Sequence, residues 1–517
     1  MTVRNLIVIL IIKSPPGSQA PPPQKPSPEG REGYEDSILL LVRRAMKDIC
    51  RKKYKGYRIY LHNFAKFDGY FLLKYLAMIG DTSPIIHKGR IISTKFSLKD
   101  SPYEITFMDS LLILPSSLRK LCQSFSVEIV KSFFPFKLTD INYKGPVPNI
   151  KYFDNFSPKG VEYNNYKKQF INNIWDFKEE AIKYCTLDCI SLYQILSKFN
   201  ELVFKNFKVN IVKYPTISSL AFGIFRLHFL IKEEDIPKDV LDEKGKIMLG
   251  SKSIYSKIHM ISGVIANNIR KGYTGGAVDM YRPKIFPDLF VPNPRDQRDQ
   301  RDPRELNKIY AYDVNSLYPF VMKNFMFPIG RPTYFEGDIL KIESQAFGFF
   351  FCRITAPNNL LHPILQTHVK TKDGIRTIAP LGTWEGMYFS EELYNAKKYG
   401  YNFDIIWGYT FKKGYIFKDY IDTLYNFRLS YSKSDPMNLI SKLLLNSLYG
   451  RFGMDDLFTY SEIISKKDYH KFEEMPGHKE SIQDIIDLGT NYLVQLKNPK
   501  VEQKTNLDNG FETHNSV

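Results

Sequence analysis

One carboxylate stands inside an apolar, aromatic run from Ile309 to Met322, IYAYDVNSLYPFVM. It is Asp313, followed closely by Asn315, Ser316, Leu317, Tyr318 and Pro319. A carboxylate in such company is costly to bury unless it is paired or binds a metal ion. The residues before it have the content of a strand, which predicts Asp313 near a carboxyl end, where reactive groups commonly project. The turn after it can aim backbone N–H groups at a phosphate, and a magnesium ion held through phosphates needs only one or two protein carboxylates. The alternative is an Asp that caps a helix beginning near Phe320.

A second constellation lies in SDPMNLISKLLLNSLYGRFG. Ser434 or Asp435 as cap and Pro436 in the first turn mark a helix start. At about 100° per residue, Lys442, Asn446 and Tyr449 fall within about 60° of one another. Leu443, Leu444 and Leu448 point towards a core, and Gly450 and Gly453 end the element. A lysine, an amide and a phenol on one face can bind a triphosphate, a ribose and a base surface. The alternative is a solvated polar face with a tyrosine packed at its edge.

Two further groups lie in the first half. In HNFAKFDG, Asn63 and Asp68 flank a strand-to-helix turn and can reach one spot. In AIKYCTLDCISLY, Tyr184 and Asp188 form an i, i+4 pair on one helix face. Two carboxylates with a tyrosine and an asparagine suit two-metal hydrolysis of a phosphodiester, the phenol orienting the attacking water.

The elements that position these groups follow from the pattern. A helix is expected from Ser37, a strand in GYRIYLHNF, a helix in GYFLLKYLAMIG, a strand in YEITFMDSLL and a long helix over about Phe177 to Leu202. These alternations describe an α/β domain over 37–210. Residues 1–36, rich in Pro, Gly, Ser and Gln, are expected to be a disordered or non-native leader. The Asp-Gln-Arg near-repeats of 292–306 have no apolar face and predict a solvated loop. Beyond Asp487 the chain reads as polar and poorly patterned.

At 517 residues the chain exceeds a single core, and its composition is that of a globular protein: 43% hydrophobic, 25% charged. A net charge of +17, from 72 Lys and Arg against 55 Asp and Glu, favours a polyanionic partner, though a Lys-rich coding bias would also produce it. The abundance of Tyr (34), Phe (38), Lys, Ile and Asn fits an AT-rich coding genome such as an organelle or plasmid. Five cysteines with no C-x-x-C spacing argue against a zinc site. The apolar run Leu6–Ile12 is too short to span a bilayer, so no membrane partner is expected.

Taken in order, these stretches resemble a family B DNA polymerase of the protein-primed branch, the kind found on linear mitochondrial plasmids and in some bacteriophages. DVNSLYP (313–319) resembles the first polymerase motif and KLLLNSLYG (442–450) the second. NFAKFD and YCTLD resemble the second and third motifs of a 3′–5′ exonuclease domain. DSLLIL (109–114) resembles its single-strand-binding segment, and YTGG (273–276) an interdomain loop that contacts template.

The resemblance implies an α/β (α+β) fold: a ribonuclease H-like exonuclease domain, then a right-hand palm and fingers over 211–517. Asp313 would ligate two catalytic Mg2+ ions with the Val314 carbonyl. Ser316, Leu317 and Tyr318 would line the nucleotide, Tyr318 excluding a 2′-hydroxyl. Lys442 would contact the incoming triphosphate, and Asn446 and Tyr449 the nascent base pair. Asn63, Asp68, Tyr184 and Asp188 would be exonuclease-like. Ser110, Leu111, Tyr273, Gly275 and Gly276 would touch DNA. Implied partners are a DNA template-primer, dNTPs and a terminal priming protein gripped by an insertion at about 330–430, in a mitochondrion.

Two motifs of the family are not found. The first exonuclease motif, D-x-E, has no counterpart ahead of Asn63, which leads to the expectation of absent or very weak exonuclease activity. The third polymerase motif, Y-x-D-T-D, does not follow Tyr449; Asp455, Asp456, Asp484 and Asp487 all lack its Tyr and Thr neighbours. A two-metal centre holds its ions ~3.5–4 Å apart between carboxylates of two elements. The palm is therefore expected to be incomplete and the chain a fragment with little synthesis alone, or a catalytically dead nucleic-acid-binding relic.

Overall fold

The structure, a computed structural model, describes residues 30–99, 101–127, 133–153, 161–171, 173–230, 258, 261–278, 311–372, 374–454 and 459–497. The leader up to residue 29 and the 292–306 repeat lie outside them. Two compact units emerge, one within Met1–Phe229 and Asp422–Gln503, the other within Leu230–Ile421. This partition is by contact and differs from the motif-based division at residue 211.

In the first unit, helix α1 (Gly30–Ile49) begins upstream of the expected Ser37, over a GREGYED stretch whose sequence carries no apolar periodicity to mark it. Strand β1 (Arg58–Leu61), helix α2 (Gly69–Ile79), β2 (Gly80–His87), β3 (Arg90–Leu98) and β4 (Ile105–Asp109) follow. Their sheet runs β1-β4-β3-β2, with β1 parallel to β4 and the other pairs antiparallel. Gly80 does end α2, and directly begins β2; a Cβ there would lie 2.1 Å from the Ser97 carbonyl oxygen, so only glycine fits the junction. Next come α3 (Leu118–Ser124), β5 (Lys144–Gly145), α4 (Val161–Lys168), β6 (Trp175–Asp176), α5 (Phe177–Phe207) and α6 (Ile217–His228). The long helix α5 is capped by Asp176, whose carboxylate accepts the Lys178 and Glu179 N–H groups and pairs with Lys144 at 2.7 Å.

The second unit holds α7 (Gly263–Arg270), α8 (Leu317–Asn324), β7 (Phe327–Glu336), β8 (Gly348–Ala356), β9 (Thr367–Thr371), β10 (Gly374–Ile378), β11 (Gly382–Phe389), α9 (Ser390–Lys397) and β12 (Asn402–Gly414). An antiparallel sheet, β11-β8-β12-β7, packs Phe350, Cys352 and Ile354 against Leu393 and Ala396 of α9. Strands β9 and β10 form a separate hairpin, exposed along nearly all its length. Helix α10 (Lys418–Ser430) spans the boundary between the two units.

The chain then returns to the first unit through α11 (Pro436–Ser447), α12 (Tyr449–Phe452), β13 (Thr459–Ser465), α13 (Tyr469–Glu473), α14 (His478–Ser481), β14 (Ile482–Asp487) and β15 (Asn491–Lys497). The order β13-β15-β14 corrects the reading of an unpatterned chain beyond Asp487. Central strand β15 is buried on both faces from Leu493 to Leu496, and the buried polar Gln495 interrupts its apolar residues, so neither an alternating nor a continuous apolar pattern marks it. Leu493 joins Leu488 in the same core as Val42, Ile59, Leu76 and Phe107, while Val494 and Leu496 pack on Phe472.

Candidate functional site

Helix α11 starts as its sequence directs. The Asp435 carboxylate accepts the Met437 N–H at 2.7 Å and Pro436 occupies the first turn. Leu444 and Leu448 are fully buried, whereas Lys442, Asn446 and Tyr449 are all exposed. The polar side chains thus share one accessible face over an apolar base, held by Phe452 of α12 against Phe222 and Phe225 of α6. Leu443 is half-buried and belongs fully to neither side.

Asp313 sits differently from expectation. Residues 311–314 are irregular, and among the described residues no strand pairs with them; Ile309 and Tyr310 lie outside the description. A β-rich composition makes a strand only when a neighbour completes the ladder. Asp313, Val314, Ser316, Leu317 and Tyr318 are exposed. Ser316 adopts the left-handed conformation (φ 53°) and its carbonyl accepts the Phe320 N–H at 2.9 Å, so α8 starts at Leu317 and not near Phe320. Asp313 belongs to the second unit and α11 to the first.

Asp313 offers an accessible carboxylate of the right hardness for magnesium, which suffices in kind for an ion shared with nucleotide phosphates. Among the described residues no group of three or more His, Cys, Asp or Glu is placed to hold a metal by itself. Asp455 and Asp456 lie outside the described residues. Asp487 is tied to Lys466 at 2.7 Å and to the Gly489 N–H, which hold its carboxyl below the usual range.

In the exonuclease-like region, Asn63 takes φ 78°, a left-handed conformation that Asn tolerates better than most residues, at the entry to a π-turn over Phe64–Asp68. The organising group is Asp109, which sequence reading passed over although it heads DSLLIL. Its carboxylate is 1% exposed and accepts N–H groups from Asn63 (3.0 Å), Ala65 (2.8 Å) and Leu111 (2.7 Å). The available signal was the one that marked Asp313: an acid closing an apolar run, here ITFMD. Burial, and then the Asp109 charge, raise the Asp68 carboxyl above its usual range.

Ser110 is buried, contrary to the exposure a direct DNA contact requires; its hydroxyl donates to the Leu61 carbonyl at 3.1 Å and lies 3.0 Å from His62 Nδ1. The neighbouring Leu111 is half-buried. Tyr184 and Asp188 do meet on α5. Burial first, and the Asp188 carboxylate second, push the Tyr184 phenol well above its ordinary value, which keeps it protonated.

In loop 273–276, Tyr273 is 70% exposed and Gly275 and Gly276 are exposed. A Cβ at either glycine would meet nothing within 4 Å, and neither has a positive φ. Local geometry therefore does not demand glycine at either position.

The chain matches DNA polymerase type B, organellar and viral, over residues 48–290 and 300–516. It is 40% identical over 453 residues to a probable DNA polymerase of Neurospora intermedia, covering 82% of this chain and 42% of that protein. Two solved structures of phi29 DNA polymerase share the fold at 20% identity. The orthorhombic crystal form gives a TM-score of 0.52, and a complex with primer-template DNA and incoming nucleotides gives 0.50. Each match covers 84% of this chain and 64% of the phi29 chain. The chain thus spans about two fifths of the length of the Neurospora relative. The α/β fold expected, an exonuclease-type domain followed by palm and fingers, is the fold found. With the family matched over most of its length, the chain belongs to the organellar and viral type B DNA polymerases.

Proposed function

We propose that the chain acts as a DNA-directed DNA polymerase of the protein-primed kind, transferring dNMP units to a 3′-hydroxyl on a DNA template. The observation that carries this reading is the accessible Lys442–Asn446–Tyr449 face over the buried Leu444 and Leu448. Lys442 meets the triphosphate as a point charge, Asn446 offers amide hydrogen bonds, and Tyr449 offers a flat ring beside the base pair. Asp313 and the Val314 carbonyl would hold a magnesium ion, which would supply charge neutralisation for phosphoryl transfer. Tyr318, with Ser316 and Leu317, lines the sugar side.

Loop 273–276 meets the DNA backbone, as Leu111 does in the exonuclease-like region, where Asn63, Asp68, Tyr184 and Asp188 approach a single-stranded end. Ser110 serves there through its bond to Leu61. The segment at about 330–430, built on the β11-β8-β12-β7 sheet, grips a terminal priming protein, and the setting is a mitochondrion with a plasmid-borne gene. The family's organellar and viral membership includes that setting, and the Lys-, Ile- and Asn-rich composition supports it.

Primer extension with magnesium and dNTPs tests the assignment, with Asp313→Asn as comparison. The expected result is little template-dependent incorporation by this chain, since no Y-x-D-T-D motif follows Tyr449, and none above background in the variant. Equal incorporation by both would remove Asp313 from the metal site. Incorporation by neither, with DNA binding retained, would favour a nucleic-acid-binding relic of such a polymerase.

A further inference from the structure

Loop 273–276 has no regular structure of its own, yet two side chains of the adjoining hairpin bond to its backbone. Gln366 Nε2 donates to the Gly275 carbonyl at 3.2 Å, and His368 Nε2 donates to the Tyr273 carbonyl at 3.0 Å. A carbonyl only accepts, so neutral His368 carries its proton on Nε2, and Nδ1 accepts the Thr377 hydroxyl at 3.0 Å. Thr377 is the direct cross-strand partner of His368 in the hairpin. Gln366 is anchored from the interior: Tyr388, 3% exposed, donates its hydroxyl to the Gln366 carbonyl at 3.0 Å and accepts Trp384 Nε1 at 2.6 Å.

A cavity of about 190 Å³ adjoins the loop, lined by Thr274, Leu365, Gln366 and Tyr388 among others. The Tyr273 N–H also donates to the Arg270 carbonyl at 3.0 Å, so the two side-chain bonds add to a backbone anchor at the start of the loop, and the Gln366 bond reaches Gly275 beyond it. On the same hairpin, Lys370 and Lys372 are exposed, a charge suited to a phosphodiester backbone.

We infer that Gln366 and His368 are positioning residues: they hold loop 273–276 in the form that meets a DNA backbone, coupling the hairpin to the loop. The inference rests on the DNA-contacting role proposed for that loop above.

The test is fluorescence anisotropy of a labelled primer–template DNA with the full chain, together with amide hydrogen exchange of the free chain. Gly275→Val places a side chain in the open approach and should weaken binding roughly tenfold while leaving the fold intact. Gln366→Met and His368→Phe remove the donors and keep the bulk. Each should weaken binding roughly threefold, the worth of one exposed hydrogen bond, and speed exchange in the loop. His368→Gln, which keeps a donor, should restore most of the affinity.

In the Gly275→Val background neither donor substitution should weaken binding further, since both act through the loop. Additive losses would show direct contact by the hairpin and overturn the inference. Unchanged affinity and loop exchange in Gln366→Met and His368→Phe, with Gly275→Val still weak, would overturn it and leave the loop's DNA role standing. Unchanged affinity in Gly275→Val would overturn that role itself.

Discussion

The buried carboxylate of Asp109 accepts the backbone N–H of Asn63 at 3.0 Å, at the point where parallel strands β1 and β4 end side by side. With the bonds from Ala65 and Leu111, it ties the turn that presents Asn63 to the segment that carries Leu111. Asp109→Ala should lower unfolding stability by roughly 2–4 kcal/mol in guanidinium denaturation, since one buried and two part-buried backbone donors lose their acceptor. Asp109→Asn, which keeps one acceptor oxygen, should cost about half as much. A loss below about 1 kcal/mol for the alanine variant would mean that water replaces the carboxylate without penalty.

Asp68 gives a pH signature. Its carboxyl is raised, by burial and then by Asp109, so the folded chain holds this proton more tightly than the unfolded one. The charged form therefore costs stability at neutral pH, and the cost is relieved as pH falls through the raised value. Asp68→Asn should show a slightly higher thermal midpoint than the parent at pH 7, a modest gain because the group is half-exposed to solvent screening. The two curves should converge as pH falls towards the ordinary carboxyl value of 3.8. A gap independent of pH would show that charge is not its cause.

The two sides of α11 should separate stability from nucleotide binding. Leu444→Ala truncates a fully buried side chain and should destabilise by roughly 2–5 kcal/mol. Lys442→Ala, on the exposed side, should change stability by no more than about 0.5 kcal/mol while weakening dNTP retention, measured by equilibrium dialysis or photo-crosslinking, roughly tenfold. Loss of stability in Lys442→Ala comparable to Leu444→Ala would place the lysine in the framework instead.

The cap of α11 makes a third comparison. Asp435 accepts the Met437 N–H at 2.7 Å, and Asp435→Ala should cost about 1 kcal/mol in denaturant unfolding. Asp435→Ser, another good cap, should recover most of it. If serine fails, the aspartate acts through its charge at the helix start and not through the hydrogen bond.

Helix α11 was legible because its signals are local: a cap, a proline and a lysine–asparagine–tyrosine spacing that one turn of geometry resolves. The long helix α5 and the Tyr184–Asp188 pair were legible for the same reason. Asp109 was not, because its importance depends on bringing the end of β4 beside a turn far away in sequence. Ser110 was read as a DNA contact from its segment, but its hydroxyl is satisfied by Leu61, a partner only the β1–β4 pairing supplies. Of the strand expected over KIYAYDV, residues 308–310 lie outside the described residues and 311–314 are irregular: the latter favour extended chain, but no described strand lies beside them to accept them.

The closing strands also set an order of events during synthesis. Leu488 and Leu493 fill a core whose other walls, Val42, Ile59 and Leu76, leave the ribosome much earlier. The first unit cannot complete its interior until almost all of the described chain has been translated, so its early half must wait with apolar surface uncovered. Contacts of such long sequence separation fold slowly and invite off-pathway association. Chaperone demand at the ribosome, and the insolubility of a piece cut before residue 459, would follow from where β15 packs.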